Sequence, residues 1–299
     1  MSKVVLITGG TGFLGGNLIP KFIERGYHVY VLTRPHHHKN KRPDVTYITT
    51  LDKAPDRLDV VINLAGEPLD SNRWSDTVKR ELIASRVDLT HRLIDYLETL
   101  ESQPEVLISG SAIGYYGSNA TEVFTEHTVV PSNLFSAQLC CQWEDAALKA
   151  ESLGVRVCRI RTGVVLGQGG GMLSKILTPF KLGLGARLGH GQQWLSWIHL
   201  EDWIQAVLWL IDHPVRGPVN LTAPNPVTNQ EFTKKLAATL NCPQFLNMPE
   251  CVVKVLFGQM ADELLLVGQH VIPQVLQESG YKFKYPEIQQ ALDNLIAKK

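Results

Sequence analysis

The chain has 299 residues, of which 44% are apolar and 19% are charged, and its 29 basic residues balance its 29 acidic residues. This length fits one large α/β domain, or one domain with a smaller appendage, and it is ample for a sizeable core. The zero net charge argues against nucleic-acid binding, which needs a basic surplus, and the apolar content excludes a disordered chain.

The start of the sequence shows no targeting or membrane-spanning segment. Its first apolar run, residues 4–7, is far shorter than the ~20 residues that a membrane span needs. The cysteines are odd in number and form no C-x-x-C pair, which favours reduced thiols and no structural zinc. We therefore expect a cytoplasmic protein with no metal site and no membrane partner.

Strand and helix patterns alternate along most of the chain. Apolar runs predict strands at residues 4–7, 29–32, 60–64, 106–109, 155–160 and 219–221, with a short apolar stretch at 45–48. Apolar spacing predicts helices at residues 17–25, 76–100, 143–152 and 202–212. Nearly all-apolar strands that alternate with helices are typical of a parallel sheet covered on both faces. We therefore predict an α/β fold with a doubly wound parallel sheet.

The pattern changes after about Gly167, where a glycine-rich region begins. Beyond Pro218 a short strand, a Pro/Asn loop and two or three helices follow. We predict a dinucleotide-binding domain over residues 1–222, in which residues 167–195 contribute to the substrate lobe. Residues 223–299 then form a small, mostly helical lobe on the substrate side.

Residues 8–15, Thr-Gly-Gly-Thr-Gly-Phe-Leu-Gly, carry the strongest local pattern. They read G-x-x-G-x-x-G from Gly9 and G-x-G-x-x-G from Gly10, between the first strand and the first helix. Glycines at this junction let backbone N–H groups approach a pyrophosphate, and the helix N-terminus adds a favourable dipole. The junction therefore predicts a Rossmann dinucleotide site rather than a mere strand-to-helix turn.

The second predicted strand ends at Thr33 and Arg34, where an NAD site usually places an acidic residue. Arginine suits a 2′-phosphate through its paired N–H donors, which favours NADP(H) over NAD(H). A solvated loop position for Arg34 is the alternative. Further basic residues follow at Lys39, Lys41 and Arg42. The histidines at residues 36–38 lack a carboxylate or cysteine cluster, so we interpret them as an exposed loop rather than a metal site.

Further motifs extend along nearly the whole chain. They are residues 63–68 (Asn-Leu-Ala-Gly-Glu-Pro), 73–74 (Arg-Trp), 85–86 (Ser-Arg), 143–144 (Trp-Glu), 161–167 (Arg-Thr-Gly-Val-Val-Leu-Gly), 169–171 (Gly-Gly-Gly), 197–202 (Trp-Ile-His-x-x-Asp) and, near the C-terminus, motifs between 264 and 283. With them the sequence resembles an extended, atypical short-chain dehydrogenase/reductase. More closely, it resembles the epimerase family protein subgroup (SDR39U type, similar to NAD-dependent epimerases/dehydratases) with its small C-terminal domain.

The resemblance implies a set of cofactor contacts. They are Gly9, Gly12, Phe13, Leu14 and Gly15 at the phosphate loop, Thr33 and Arg34 at the 2′-phosphate, Leu64, Ala65 and Gly66 under the adenosine and ribose, and Glu81, Arg86 and Arg161 as polar contacts. Either arginine, Arg86 or Arg161, can complement a phosphate group. Exposed salt bridges are the alternative for Glu81 and Arg86.

One departure from this family concerns catalysis. Short-chain dehydrogenases normally carry Tyr-x-x-x-Lys, in which the tyrosine moves a proton and the lysine lowers the pKa of its hydroxyl from about 10. Phe135 and Leu139 stand where this pair is expected, and no other Tyr-x-x-x-Lys occurs in the sequence. Neither side chain can move a proton, which argues against the usual mechanism.

Several residues offer substitutes for the missing pair. Ser111 follows a predicted strand and can bond a substrate oxygen, and Tyr115 or Tyr116 can bring a hydroxyl to the nicotinamide. Glu122 or Glu126, if buried, can act as a base with a raised pKa. The alternatives are a turn residue for the serine and a packed loop for the tyrosines.

Other patterns favour structural roles. His199 and Asp202 form His-x-x-Asp, which we interpret as a hydrogen-bonding residue between the lobes and a helix-start residue. Trp194 and Trp197 either wall the substrate cleft or belong to the core. The zinc-protease and serine-hydrolase motifs, His-Glu-x-x-His and Gly-x-Ser-x-Gly, are absent from the sequence.

Two functions follow from the sequence. The first is an NADP(H)-dependent oxidoreductase or epimerase that transfers hydride reversibly to a small carbonyl or sugar-type substrate. The second is an NADP(H)-binding redox sensor or regulatory protein without turnover, which Phe135 and Leu139 favour. The helix predicted at 76–100 has two possible roles. It either pairs with a second copy of the chain in a homodimer or packs on the sheet.

Overall fold

The computed structural model describes residues 2–35, 43–129 and 132–297. The basic residues Lys39, Lys41 and Arg42 and the three histidines at 36–38 lie outside the described residues. Within the described ranges, none of the helices has the length and apolar character needed to cross a membrane.

The strands form one large sheet and several two-stranded pairs. In chain order they are β1 (Val4–Thr8), β2 (His28–Leu32), β3 (Val45–Ile48), β4 (Val60–Asn63), β5 (Val106–Ala112), β6 (Val123–Phe124), β7 (Arg156–Thr162), β8 (Val164–Leu166), β9 (Ala186–Leu188), β10 (Trp194–Leu195), β11 (Trp197–His199), β12 (Gly217–Leu221), β13 (Val227–Thr228), β14 (Leu246–Met248) and β15 (His270–Val271).

The helices lie between these strands and at the C-terminal end. In chain order they are α1 (Phe13–Glu24), α2 (Asp76–Ile83), α3 (Leu89–Glu98), α4 (Phe135–Leu148), α5 (Gly171–Lys181), α6 (Leu200–Asp212), α7 (Asn229–Thr239), α8 (Glu250–Phe257), α9 (Gln274–Glu278) and α10 (Ile288–Ala297). A π-helical turn, Ala84–Asp88, joins α2 to α3, so the helix predicted over 76–100 is continuous to residue 98.

The large sheet has seven parallel strands in the order β12-β7-β5-β4-β1-β2-β3. Strand order reverses between β1 and β4, since the chain runs outward from β1 to β3 and then returns to β4. Ligands of open α/β sheets bind at such a reversal, beyond the carboxyl ends of the strands. The predicted doubly wound α/β fold is therefore confirmed.

Alternate residues of the strands pack against helices on opposite faces of the sheet. On one face Ile7 lies in a cluster with Phe22 of α1 and Trp203 of α6. On the other face Leu6 lies in a cluster with Leu93 of α3 and Ala147 of α4. Burial of each such side chain contributes roughly 1.5–3 kcal/mol, which explains why the strands are apolar on both faces.

The C-terminal part of the chain adds a second core. Trp197 of β11, Phe232 of α7 and Leu292 of α10 lie in one buried cluster with residues of α5. This cluster combines residues from before and after residue 222. The domain boundary at 222 stays a prediction.

Helix α4 begins eight residues before the predicted start at residue 143, and its start is fixed from a distance. The carboxylate of Glu263 accepts the backbone N–H groups of Phe135 (3.3 Å) and Ser136 (2.8 Å). These N–H groups have no acceptor within the helix, so the glutamate satisfies them as a cap would. The cap comes from far along the chain, and local sequence therefore does not show it.

Candidate functional site

The loop between β1 and α1 brings three backbone segments into contact. Gly9 has a φ of +70°, and a β-carbon there would lie 2.6 Å from the carbonyl oxygen of Leu64. A β-carbon at Gly15 would lie 2.6 Å from the carbonyl oxygen of Gly9. These neighbours are backbone atoms that cannot rotate away, so both positions need glycine. The loop therefore packs closely on the turn after β4.

Helix α1 starts from this loop without a side-chain cap. Gly12 is its N-cap residue, with extended backbone (φ −80°, ψ 178°), and no capping side chain is found there within the described part of the chain. The first N–H groups of a helix lack an intrahelical acceptor and carry partial positive charge. The loop therefore fits a pyrophosphate group, as a dinucleotide site requires.

A cavity of about 850 Å³ opens beside this loop, at the carboxyl ends of β1, β2 and β4. It is lined by Gly9, Thr11, Gly12, Leu32, Thr33, Arg34, Pro35, Thr49, Thr50, Leu51, Asp52, Leu64, Ala65, Gly66, Glu67, Pro68, Ser85, Leu89, Arg92 and Asp95. Seven of the predicted cofactor residues are among them, from the glycine loop, the end of β2 and the turn after β4. The cavity lies at the reversal of strand order, where the fold places a ligand.

Arg34 stands at the rim of the cavity and forms an ion pair with Glu67. The Arg34 side chain is 71% exposed and that of Glu67 is 37% exposed. Sequence reasoning predicted the arginine but not its acidic partner. The sequence carries no signal for this pair, because it joins the ends of two strands that are not neighbours in the sheet.

The backbone of Glu67 is held on both sides by the π-helical turn. Its N–H donates to Ser85 Oγ (3.0 Å), and its carbonyl oxygen accepts from Arg86 Nη2 (2.8 Å). The Arg86 guanidinium also lies 5.4 Å from the ring centre of Trp143, and burial lowers its pKa. Arg86 therefore contacts the turn beneath the cavity and does not line the cavity itself.

Other predicted cofactor contacts also lie off the cavity. Phe13 packs against the glycine-rich loop before α5, where a β-carbon at Gly170 would lie 2.3 Å from its ring. Leu14 packs against the core, and Glu81 is exposed on α2. Gly15 acts through the close packing described above.

Arg161 on β7 is buried and paired with the buried Glu144 of α4. Its Nε lies 2.8 Å from Glu144 Oε1, and its Nη2 lies 2.9 Å from Oε2. Although burial alone lowers it, the hydrogen bonds and charge of Glu144 hold the pKa of Arg161 above its ordinary value. The guanidinium is thus a permanent cation held in a two-point ion pair, below the half-buried ring of Tyr115 at 3.4 Å.

The three candidate catalytic hydroxyls differ in their surroundings. Ser111 is buried, and its Oγ donates to Glu144 Oε1 (2.7 Å). Tyr116 is fully buried; its hydroxyl donates to Asn220 Oδ1 (2.8 Å) and accepts from Arg161 Nη1 (3.0 Å). Burial raises the pKa of Tyr116 to about 12. Of the three residues, only Tyr115 is partly exposed.

The expected Tyr-x-x-x-Lys positions lie on the first turns of α4. Phe135 packs edge-on against Trp74, with ring centres 5.2 Å apart, and Leu139 is buried in the same cluster. Both side chains therefore belong to an apolar cluster, at the positions where the sequence pattern predicts the proton-transfer pair.

The two candidate glutamates also differ in their burial. Glu126 is buried; its Oε1 accepts the N–H groups of Asn220 (2.9 Å) and Val275 (3.3 Å), and burial raises its pKa. Glu122 is exposed and accepts from the Asn119 side chain. Glu126 therefore joins the edge of the sheet to the start of α9.

The His-x-x-Asp pattern has the predicted structural role. His199 caps α6 by accepting the Glu201 N–H (3.0 Å), and it stacks on Tyr285 of the C-terminal lobe. Asp202 accepts the N–H groups of Lys284 (2.7 Å) and Tyr285 (2.8 Å). Both residues therefore join the lobes. No cluster of three His, Cys, Asp or Glu side chains suited to a metal ion occurs among the described residues.

The two tryptophans have different positions. Trp197 is fully buried in the second core, and its Nε1 donates to the carbonyl of Asn225 (3.1 Å). Trp194 is half-buried and stacks on His270, with ring centres 4.1 Å apart. Trp197 is therefore a core residue, as one of the two interpretations predicts.

A buried polar network lies beneath the cavity, and no sequence pattern predicts it. Thr8 Oγ1 donates to Asn63 Oδ1 (2.7 Å) and accepts the N–H of Ala65 (3.1 Å). Asn63 Nδ2 donates to Thr90 Oγ1 (2.8 Å) and Ser109 Oγ (3.2 Å). Fully partnered buried groups of this kind make a site rigid. The network ties β1, β4, β5 and α3 together under the turn that lines the cavity.

The sheet order, the glycine loop and the cavity at the reversal define a Rossmann-type dinucleotide-binding protein. Comparison with protein families agrees: residues 5–222 match the NAD dependent epimerase/dehydratase family, and residues 248–295 match a domain of unknown function, DUF1731. The chain belongs to the NAD dependent epimerase/dehydratase family. The family resemblance predicted from sequence is therefore confirmed.

Individual relatives show the same relationship. Epimerase family protein YfhF of Bacillus subtilis (strain 168) is 35% identical over 300 residues, covering 98% of each chain. The crystal structure of human epimerase family protein SDR39U1 (isoform 2) with NADPH is 32% identical, with a TM-score of 0.90 over 99% of this chain and 100% of that chain. A nucleoside-diphosphate sugar epimerase from Corynebacterium glutamicum is 31% identical, with a TM-score of 0.77; this chain spans 58% of its length.

Proposed function

We propose that this chain binds NADP(H) in the cavity beside the glycine loop and uses it for reversible hydride transfer on a small carbonyl or sugar-type substrate. The observation that carries the proposal is Arg34, which lines the cavity at the end of β2 where NAD sites place an acid. The human relative crystallised with NADPH supports the cofactor. The relative named as a nucleoside-diphosphate sugar epimerase supports the substrate class.

Each wall of the cavity has a role in this proposal. The uncapped start of α1 binds the pyrophosphate, Thr33 and Arg34 bind the 2′-phosphate, and residues 64–66 lie under the ribose and adenine. The bound cofactor supplies or accepts a hydride at its nicotinamide ring. The protein holds the cofactor in place beside the glycine loop.

The proton-transfer group in this proposal is the Tyr115 hydroxyl. Ser111 and Tyr116 are less suitable, because their hydroxyls are already bonded to buried partners. The Tyr115 ring lies on the Arg161 guanidinium, 3.4 Å from the ring centre, and this contact holds the ring in place.

A second candidate function is NADP(H) binding without turnover, as in a redox sensor or regulatory protein. The observation that favours it is the apolar cluster of Phe135, Leu139 and Trp74 at the position of the usual proton-transfer pair. The two candidates share the cofactor site and differ only in whether a substrate is converted.

The test compares NADPH and NADH binding to the wild type, Arg34→Ala and Arg25→Ala by fluorescence titration. Loss of a charge-assisted contact to phosphate weakens NADPH binding roughly ten- to hundredfold in Arg34→Ala and leaves NADH nearly unchanged. Arg25→Ala is the control, because Arg25 pairs with Asp212 at the far end of α1. Equal NADPH affinity in all three proteins contradicts the 2′-phosphate assignment.

The same preparations decide between the two functions. Purified protein is incubated with NADPH and a panel of aldehydes, ketones and nucleotide sugars, and NADPH absorbance and sugar products are followed. If the wild type converts a compound and Arg34→Ala converts it more slowly, the result supports the enzyme function. Tight NADPH binding with no conversion of any compound supports the sensor.

A further inference from the structure

An acidic residue contacts Arg34 at the rim of the cavity, although no acidic residue follows β2 in the sequence. Glu67 lies after β4, lines the same cavity as Arg34, and forms an ion pair with it. A carboxylate at this position is suited to accept a hydrogen bond from a ribose 2′-hydroxyl. The cavity rim therefore carries both a cation for a 2′-phosphate and an anion for a 2′-hydroxyl.

Glu67 is held in place by backbone contacts rather than by its carboxylate. Ser85 Oγ accepts its N–H at 3.0 Å, and Arg86 Nη2 donates to its carbonyl oxygen at 2.8 Å. Arg86 is buried and also donates to the carbonyl of Leu82 (3.3 Å). The side chain of Glu67 is thus free to pair with a ligand or with Arg34, while its main chain keeps its position. A π-helical turn is a rare form of helix that often occurs at functional sites.

We propose that Glu67 is a specificity-determining residue. Its carboxylate binds the ribose 2′-hydroxyl of NAD(H) and competes with the 2′-phosphate of NADP(H) for Arg34, so the cavity accepts both cofactors. This proposal rests on the proposed function, since it assumes that the cavity holds the adenosine half of a dinucleotide.

The charges around the pair fit this competition. The side chain of Glu67 is about half as exposed as that of Arg34, 37% against 71%, so the guanidinium stays accessible to a phosphate group while the ion pair is formed. A 2′-phosphate carries more negative charge than a carboxylate and presents more acceptor oxygens, so it displaces Glu67 from the guanidinium at some cost. A 2′-hydroxyl leaves the ion pair intact and adds a hydrogen bond to it.

The experiment measures NADPH and NADH dissociation constants for the wild type, Glu67→Gln and Asp70→Asn. Asp70→Asn is the matched control: it removes a unit charge from the same loop, but Asp70 pairs with Lys175 and not with Arg34. We expect Glu67→Gln to weaken NADH binding about tenfold, the effect of one lost charged hydrogen bond, and to tighten NADPH binding. Asp70→Asn keeps the wild-type ratio of the two constants.

A double-mutant cycle isolates the coupling to Arg34. In the Arg34→Ala background, Glu67→Gln still weakens NADH binding and no longer tightens NADPH binding. An unchanged NADH constant in Glu67→Gln, no NADH binding to the wild type, or the same change in Asp70→Asn overturns the inference. If any of these results is found while Arg34→Ala still weakens NADPH binding, the role of Glu67 is rejected and the proposed function is retained. If the wild type binds neither nucleotide, both fail.

Discussion

At the scale of single residues, the candidate hydroxyls are separated by their hydrogen bonds. Tyr115 and Tyr116 are adjacent in sequence, yet one is half-buried on a guanidinium and the other is enclosed between Arg161 and Asn220. A buried hydroxyl with two partners contributes to stability, because both partners lose a hydrogen bond when it is removed. A partly exposed hydroxyl is available to a ligand.

Replacement of each tyrosine by phenylalanine therefore gives different results. Tyr116→Phe leaves Asn220 Oδ1 and one N–H of Arg161 without their partner, so we expect it to lower the free energy of unfolding by about 1–3 kcal/mol. Tyr115→Phe retains the aromatic ring over Arg161 and should change stability by less than about 0.5 kcal/mol.

Urea unfolding of both variants measures the difference, and turnover is measured beside it. If the chain is an enzyme, Tyr115→Phe lowers turnover about 10²- to 10⁴-fold with NADPH binding retained. Equal losses of stability in the two variants would show that the Tyr116 hydrogen bonds do not contribute as described.

At the scale of elements, the junction of β1 and α1 depends on how closely backbone approaches backbone. Gly15 is in the first turn of α1, where a β-carbon would lie 2.6 Å from the Gly9 carbonyl oxygen and 2.8 Å from the Gly10 α-carbon. Gly16 is the next residue, and a β-carbon there would meet only the Gly10 carbonyl oxygen at 3.6 Å, an ordinary contact. The two adjacent glycines are therefore not equivalent.

Gly15→Ala and Gly16→Ala are a matched pair for this junction. Gly15→Ala has to move α1 away from the loop, so we expect a loss of about 1–3 kcal/mol in stability and weaker NADPH binding. Gly16→Ala gains up to about 1 kcal/mol from the helix propensity of alanine, with NADPH binding unchanged. Thermal unfolding and NADPH titration measure both. A Gly15→Ala variant as stable as the wild type, with full affinity, would contradict the close packing.

At the scale of the whole molecule, buried carboxylates join the C-terminal lobe to the sheet. Asp202 on α6 accepts two backbone N–H groups at Lys284 and Tyr285. Glu126 accepts N–H groups from the edge strand β12 and from α9, while its Oε2 is buried with no hydrogen-bond partner among the described residues. Strand β15 also pairs with β6. The two parts of the chain are therefore connected by polar contacts as well as by apolar packing.

The burial of Glu126 makes stability depend on pH. Its pKa in the folded chain is raised above the ordinary value near 4.5, because burial disfavours the charged form. The folded chain then binds more protons than the unfolded chain, so stability falls as the pH rises through the folded-state pKa. Glu126→Gln lacks this titration. We therefore expect the difference in melting temperature, Glu126→Gln minus wild type, to increase as the pH rises from about 4 to about 8.

Calorimetry at several pH values measures this change, and Glu122→Gln is the control. Glu122 lies nearby in the sequence, between β6 and the preceding turn, but it is exposed. Its replacement should leave the difference in melting temperature independent of pH. The same pH dependence in both variants would show that burial of Glu126 is not the cause.

Much of the fold and part of the cavity could be predicted because they depend on local rules. Strands and helices were predicted from the periodicity of their apolar side chains, and the glycine loop from backbone sterics. Both effects operate within a few residues. Arg34 was predicted to contact the cofactor because it lies just after the second strand, and it lines the cavity. The start of α4 was not predicted, because the residue that caps it, Glu263, lies 127 residues from Ser136.

The sequence by itself determined the parallel sheet, the position of the glycine loop and the family. Only the tertiary structure decided which charges meet: Arg34 with Glu67, 33 residues apart, and Arg161 with Glu144 rather than with a surface of the cavity. The physical reason is that the energy of a charged or hydroxyl group depends on its burial and on its partners. Other elements of the fold supply those partners, Glu144 from α4 and Glu67 from the turn after β4, so residue type alone does not reveal them.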